Sequence, residues 1–441
     1  MAASVFDSPL YAQLFATGDA GRLFSDTAAI RAMLLVEGAL AKVQGAQGVI
    51  PELSAAAIHR ASMEIQVDPG AIAKATGENG VSVPGLVDAF RKEMSAPEHA
   101  QFVHWGATSQ DIIDTALMLR LRQALVLAEN DLRDILGALG QAAEAHAHLP
   151  MAARTYGQHA TPTSWGAVLA ESGAPLLDAL AALPVLRQSA LWVSLSGAAG
   201  TASALGPKAS QTRTELAKAL GLNDPGRSWH VDRAPILRIA DWQGQVMAAL
   251  AHMAQSLIGL TGSDCAEVSL AAAGASSTMP QKQNPVAPSA MLALAHQFTG
   301  LRSALQTASV HQHQRDGAAW FTEWMVLPQL CLSLAASLSH AKVLSAGIVP
   351  RPVQMRATLD GNLGLIHAEA LSFALAAMMP RPEAQSVTKT LCREAQDKRV
   401  PLVDLALAAY PDLPPDTFDP AANLGQAPAD ALAFAAAVKA L

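Results

Sequence analysis

The sequence predicts an all-α protein of three parts around a long central helical bundle, and three observations carry that prediction. Hydrophobic residues fill 51% of the 441 positions and charged residues only 15%, a balance that excludes intrinsic disorder. Aromatics are only 5%; much of the apolar content is Ala and Leu, which cost least in a helix and are weak strand formers. Finally, apolar residues recur at helical spacing over unusually long runs.

The elements follow in order. Ser25-Asp26 reads as an N-cap, followed by Ile30, Met33, Leu34, Leu40 and Val43 at helical spacing and by Gly48 and Pro51 as stop signals. A longer helix is expected after Thr108-Ser109-Gln110-Asp111, through Ile113, Leu117, Leu125, Leu132 and Leu139, until Pro150 ends it. Further long patterns run about 164–195, 233–270 and 286–346, the last with Pro328 as a kink or break. These segments are apolar over much of their circumference and need several neighbours, from one chain or from several. After Pro350-Arg351-Pro352 the helices shorten, and Pro411–Pro420 is a loop before a final Ala-rich helix. The expected division is 1–107, 108–350 and 351–441, with no solenoid repeat.

Composition also narrows function. The best apolar stretch, Val246–Leu260, carries His252, Gln255 and Ser256 and is too short to span a membrane. No basic residue precedes Arg22, so no secretory or transit peptide is expected and the chain is assigned to the cytoplasm. Cys265, Cys331 and Cys392 are widely spaced, without a disulfide framework or zinc-ligand pattern. A net charge of −7 without a basic block argues against nucleic acid, and it requires local cations to hold any anionic substrate. No metal or nucleotide cofactor is expected, since neither a Cys/His ligand set nor a Gly-rich phosphate loop is found. His311 and His313, two apart on an expected helix, would not share a face and are discounted as a metal pair.

Three polar segments interrupt this apolar chain. In His104-Trp105-Gly106-Ala107-Thr108-Ser109-Gln110-Asp111, Thr108 and Asp111 fit a capping pattern, and the same helix start is suited to a carboxylate. In Arg154-Thr155-Tyr156-Gly157-Gln158-His159, a histidine beside an expected helix start is either a structural hydrogen-bonder or a catalyst, and the polar density needs a partner. The third, Gly274 to Pro285, reads as a mobile loop bringing Ser276, Lys282 and Asn284 to an anion.

Ser276-Ser277-Thr278-Met279-Pro280-Gln281-Lys282-Gln283-Asn284-Pro285 closely resembles the signature loop of the fumarase/aspartase superfamily. The other two polar segments are similar to that superfamily's other motifs. Gly197-Ala198-Ala199-Gly200-Thr201, Trp229-His230 and Gly364–Ala370 extend the resemblance over roughly 20–375. Gln281 and Gln283 around Lys282, with Arg315-Asp316-Gly317-Ala318-Ala319-Trp320 and Glu323-Trp324, make the chain most similar to the bacterial carboxymuconate cycloisomerase branch.

The resemblance implies the three-domain fold of that superfamily and a homotetramer with composite sites. It also implies interconversion of 3-carboxy-cis,cis-muconate and 4-carboxymuconolactone in the protocatechuate branch of aromatic degradation. It makes Ser276 the proton-transfer residue, with Lys282 and Asn284 supporting the carboxylate and His159 as proton donor or binder. Thr108, Ser109, Gln158, Arg315 and, unless it is packed structurally beside Trp105, His104 would share the substrate's anionic groups. The adenylosuccinate lyase branch usually has His and Arg where Gln281 and Gln283 stand, which weakens a phosphorylated substrate. A non-catalytic, crystallin-like role is opposed by retention of Ser276, Lys282 and Asn284. Tyr156 replaces a His common in the superfamily's lyases; loss of an acid there suits expulsion of a carboxylate, which leaves as a stable anion, better than expulsion of an amine.

Overall fold

The computed structural model describes residues 4–271, 274–275, 279 and 282–441. Ser276 and Gln281 therefore lie outside the described residues. Of the described residues, 69% are helical. Ser25 Oγ accepts from the Ala28 N–H at 3.2 Å and caps α1 (Asp26–Ala46), as its sequence dictates. Three shorter helices follow: α2 (Glu52–Glu64), α3 (Pro69–Asn79) and α4 (Val83–Met94). The helix expected after Thr108 is α5 (Ser109–Ala145). Then come β1 (Pro150–Thr155), β2 (Gln158–Ser164), α6 (Trp165–Ala190), α7 (Ala209–Leu220) and α8 (Ala234–Thr261). Beyond them lie β3 (Val268–Leu270), β4 (Gly274–Ala275), β5 (Gln283–Asn284), α9 (Val286–Ala308), α10 (Gly317–Gly347) and β6 (Ile348–Pro350). The C-terminal helices are α11 (Pro352–Asp360), α12 (Ala368–Ala376), α13 (Arg381–Lys398), α14 (Leu402–Ala409) and α15 (Ala427–Lys439).

Three expectations need correction. The second polar segment is not a helix start but the tip of the antiparallel β1–β2 hairpin, with Thr155 opposite Gln158. Its turn residues Tyr156 and Gly157 both have positive φ, +52° and +73°, the requirement of a two-residue turn of the I′ kind. The pattern read as helix over 233–270 stops at Thr261, and its last residues form β3, paired antiparallel with β6. The 286–346 pattern breaks at 309–316, not at Pro328, which sits inside α10. Asp316 makes that break, its carboxylate accepting the Gln312 and Ala319 N–H groups at 3.0 and 3.2 Å. His311 and His313 consequently lie on a connection rather than a helix.

The chain forms two compact units. One comprises residues to Asn130 with Ala179–Ala248 and Ala293–Ser339; the other comprises Asp131–Asp178, Ala249–Leu292 and His340–Leu441. Helices α5, α6, α8, α9 and α10 each contribute to both. In the first unit Leu34, Val36 and Leu40 of α1 and Ile58 of α2 are buried, each contributing roughly 1.5–3 kcal/mol of hydrophobic transfer. Gly38 and Gly45, one heptad apart, face α2: a Cβ at Gly38 would run into the Ser62 hydroxyl and one at Gly45 into the Ala55 methyl. In the second unit Leu371, Leu375, Leu391, Ala395 and Leu402 form the core of the short helices, and the Phe434 ring of α15 rests over Gly173. By length and composition α6 and α10 pass for membrane spans; they are the most apolar of the bundle helices.

Candidate active site

In the first unit the start of α5 is held by Asp111. This fully buried carboxylate accepts from five donors: the backbone N–H groups of Thr108 (3.0 Å), Ser196 (2.8 Å) and Gly197 (2.9 Å), Ser194 Oγ (3.3 Å) and His230 Nε2 (2.8 Å). The bond to Thr108 N–H is the reciprocal half of the capping box; the other four tie the 194–197 segment and His230 to the same helix start. Gln110 donates to the His230 carbonyl at 2.8 Å.

The Thr108 hydroxyl is thereby left to face the site, and Arg315 meets it. Arg315 Nη2 donates to Thr108 Oγ1 (3.3 Å) and to the Ala198 carbonyl (3.2 Å), and Nε donates to Gln110 Oε1 (3.0 Å). Arg315 is exposed, and its Nη1 amino group makes no hydrogen bond among the described residues. A fixed guanidinium beside a helix start is an anion site by two independent effects, its own charge and the α5 dipole. Ser109 occupies the first turn, half-buried.

His104 stands in the same unit, against Glu37. Its Nδ1 lies 2.6 Å from Oε1 of buried Glu37. Burial alone would lower its pKa, but the Glu37 charge and hydrogen bond outweigh that and hold it above the usual histidine range. Its backbone lies in the left-handed region, φ +65°. Glu37 occupies only Nδ1, so the Nε2 side of His104 has no hydrogen bond among the described residues.

Beneath the site lies a network that sequence reasoning missed. Arg233, fully buried, donates to Asp114 at 2.8 and 3.0 Å and to Glu323 at 2.9 and 2.7 Å, with its guanidinium over the Trp229 ring at 4.9 Å. Burial opposes its charge, but the two carboxylates prevail and raise its pKa. Two carboxylates share one cation, so burial and the Asp114 charge keep the Glu323 carboxyl above its ordinary range.

In the second unit β4 pairs with β5, Gly274 opposite Asn284, which fixes the ends of the signature loop. Lys282 and Asn284 line a cavity of about 370 Å3 with Thr261, Ser263, Ser269 and Arg351. Arg351, a second cation there, was read from sequence only as part of a helix breaker. Gln158 and His159 stand exposed on the hairpin, while Arg154 finds its partner in fully buried Glu267 at 2.9 Å.

The predicted residues thus fall into two sets: His104, Thr108, Ser109 and Arg315 in one unit, and Gln158, His159, Lys282 and Asn284 in the other. The missed residues are Asp111 as an anchor, His230, Arg351 and the Asp114–Arg233–Glu323 network. Asp111, His230 and Glu323 were in view in the sequence only as a cap and as parts of motifs, and the spacing of Asp111 and Asp114, three apart on α5, was a further signal. Each set by itself carries donors suited to an anion: hydroxyls and the Arg315 guanidinium in the first unit, and Lys282, Asn284 and Arg351 around the cavity of the second.

Residues 19–300 match the family model described as lyase. The chain belongs to this lyase family of the fumarase/aspartase superfamily. The lyase is 37% identical to 3-carboxy-cis,cis-muconate cycloisomerase of Pseudomonas aeruginosa over 86% of this chain and 83% of that protein. It is 34% identical to nitrosuccinate lyase of Streptomyces davaonensis over 97% of this chain and 94% of that one. Its fold is similar to the crystal structure of 3-carboxy-cis,cis-muconate lactonizing enzyme from Pseudomonas putida, with TM-score 0.92, 33% identity, and 98% and 99% of the two chains covered. The likeness makes α6 and α10 core helices of a lyase bundle.

Proposed function

We propose that this lyase interconverts 3-carboxy-cis,cis-muconate and 4-carboxymuconolactone, as an enzyme of aromatic degradation working in the cytoplasm without metal or nucleotide. The observation that carries the reading is the Arg315 guanidinium clasped to Thr108 and Gln110 at the start of α5. It is a carboxylate-shaped site in a chain similar to cycloisomerases over most of its length. Tyr156, fully exposed at the hairpin tip where lyases of the superfamily commonly have a His, supports the same reading, because a carboxylate leaving group needs no acid at that position.

In the lactonising direction a substrate carboxylate oxygen adds to the conjugated double bond. The electron pair moves onto the neighbouring carboxylate as an aci-carboxylate, and Ser276 delivers a proton to the adjacent carbon, regaining one from water. In reverse, Ser276 as alkoxide removes that proton and the ring C–O bond breaks, releasing a carboxylate. Lys282 and Asn284 hold the carboxylate where charge doubles; Thr108, Ser109, Gln158 and Arg315 bind the other anionic groups, and His159 binds or donates a proton. His104, held by Glu37 at Nδ1, binds alongside them through Nε2. A coupled ultraviolet assay of the purified protein tests this: 3-carboxy-cis,cis-muconate should be consumed, while adenylosuccinate and nitrosuccinate should not. Turnover of nitrosuccinate alone would instead assign C–N lyase chemistry.

The reading includes a homotetramer whose sites combine segments of several copies, and domain divisions near 107 and 350. Its physical motive is the apolar surplus of the long helices, which left bare drives association. Phe321 and Met325, one turn apart on α10, are 41% and 63% exposed, as an interface face would be in a separated chain. Light scattering should report a tetramer, and a stable active monomer would refute it.

A further inference from the structure

A second cavity, of about 310 Å3, lies in the unit that holds α1 and is lined by none of the residues assigned to the reaction. Phe24, Met33, Leu117, Trp324 and Leu327 give it an apolar wall, and Arg120 of α5 is its cation. The Arg120 guanidinium stands 5.9 Å from the Phe24 ring centroid. Its Nε is buried without a hydrogen bond, and no carboxylate lies within ion-pairing distance among the described residues. Burial accordingly pulls its pKa below the usual arginine value. Asp26 offsets this burial only through space and only in part, and a cation that is largely buried without a hydrogen-bonded carboxylate gains from an anion seated beside it.

Two carboxylates also line this cavity, Asp26 and Glu323. Asp26 is exposed to solvent and Glu323 is committed to Arg233 at 2.7 Å. They leave room for one negative charge and repel a second, which disfavours phosphate. The planar guanidinium fork matches a carboxylate, and the surrounding wall matches a ring or branched chain. We propose that this cavity is a second ligand site for a small monocarboxylate with an apolar body, its carboxylate on Arg120 and its body among Met33, Leu117 and Trp324. The volume, at the lower end of the roughly 300–1,000 Å3 usual for ligand pockets, sets the size.

The test is calorimetric titration of the full-length protein with benzoate, benzyl alcohol and inorganic phosphate, alongside Trp fluorescence. Benzoate should saturate and change the tryptophan emission, a change that Trp324→Phe should remove, and Arg120→Met should weaken it by about tenfold or more, the loss of one charge-assisted contact. Benzyl alcohol and phosphate should bind at least as weakly as benzoate binds Arg120→Met. Ala29→Leu, which keeps the cation and fills the cavity, should abolish the benzoate isotherm and keeps the idea testable if Arg120→Met does not fold. Arg315→Gln should leave benzoate binding intact. Failure of benzoate to saturate, unchanged affinity in Arg120→Met or Ala29→Leu, equal binding of phosphate, or loss only in Arg315→Gln would each overturn the proposal.

Discussion

Arg233→Met is expected to cost about 3–5 kcal/mol of stability, enough to leave much of the chain unfolded, because it strips the cation from two buried carboxylates. Asp114 and Glu323 would face each other in a dry interior with only protonation to relieve them. The loss should therefore depend on pH. A carboxyl whose folded pKa is raised binds a proton more tightly folded than unfolded, so its stabilising contribution is present at low pH and fades as pH rises through the folded value. The urea midpoint of Arg233→Met should recover as pH is lowered from about 7 to about 5, while the parent changes less. A variant with the parent midpoint at neutral pH would show that the network is not what holds α5, α8 and α10 together.

Ser276→Ala is expected to lower kcat by about three orders of magnitude or more with KM nearly unchanged, since the lost proton transfer belongs to the transition state. Lys282→Met should instead damage both constants, because it meets a carboxylate charged in the ground state and more so in the intermediate. Near-parental turnover of Ser276→Ala would move proton transfer elsewhere, with His159 the first alternative.

Local chemistry was legible in the sequence where structure is decided locally. Ser25 and Thr108 announced their helices, and the long apolar repeats announced α5, α6 and α8. The β1–β2 hairpin escaped because its strands lack alternating large apolar residues and its turn pairs a Tyr, rather than the usual Asn or Asp, with Gly157. Pro328 drew attention to the wrong break, since an Asp316 carboxylate accepting two backbone N–H groups ends a pattern more firmly than one proline inside a well-packed helix. Thr108, Arg315, Lys282 and Asn284 could be nominated from motifs. The groups that orient them could not, because Asp111 meets His230, and Arg233 meets Glu323, across 119 and 90 residues of chain.

Those separations matter during synthesis. When a ribosome has made the first turn of α5, Asp111 has only the Thr108 N–H, and the distant partners of Asp111 and Asp114 do not yet exist. His230 follows about 6–24 seconds later at the usual 5–20 residues per second, and Glu323 later still. For that interval both carboxylates lack the partners that will bury them, on a first stretch of helix that is apolar from Ala116 to Leu119. The same two side chains that will lock the finished site serve first as solubilising charges on an incomplete chain, and the locking step waits for α10 to emerge.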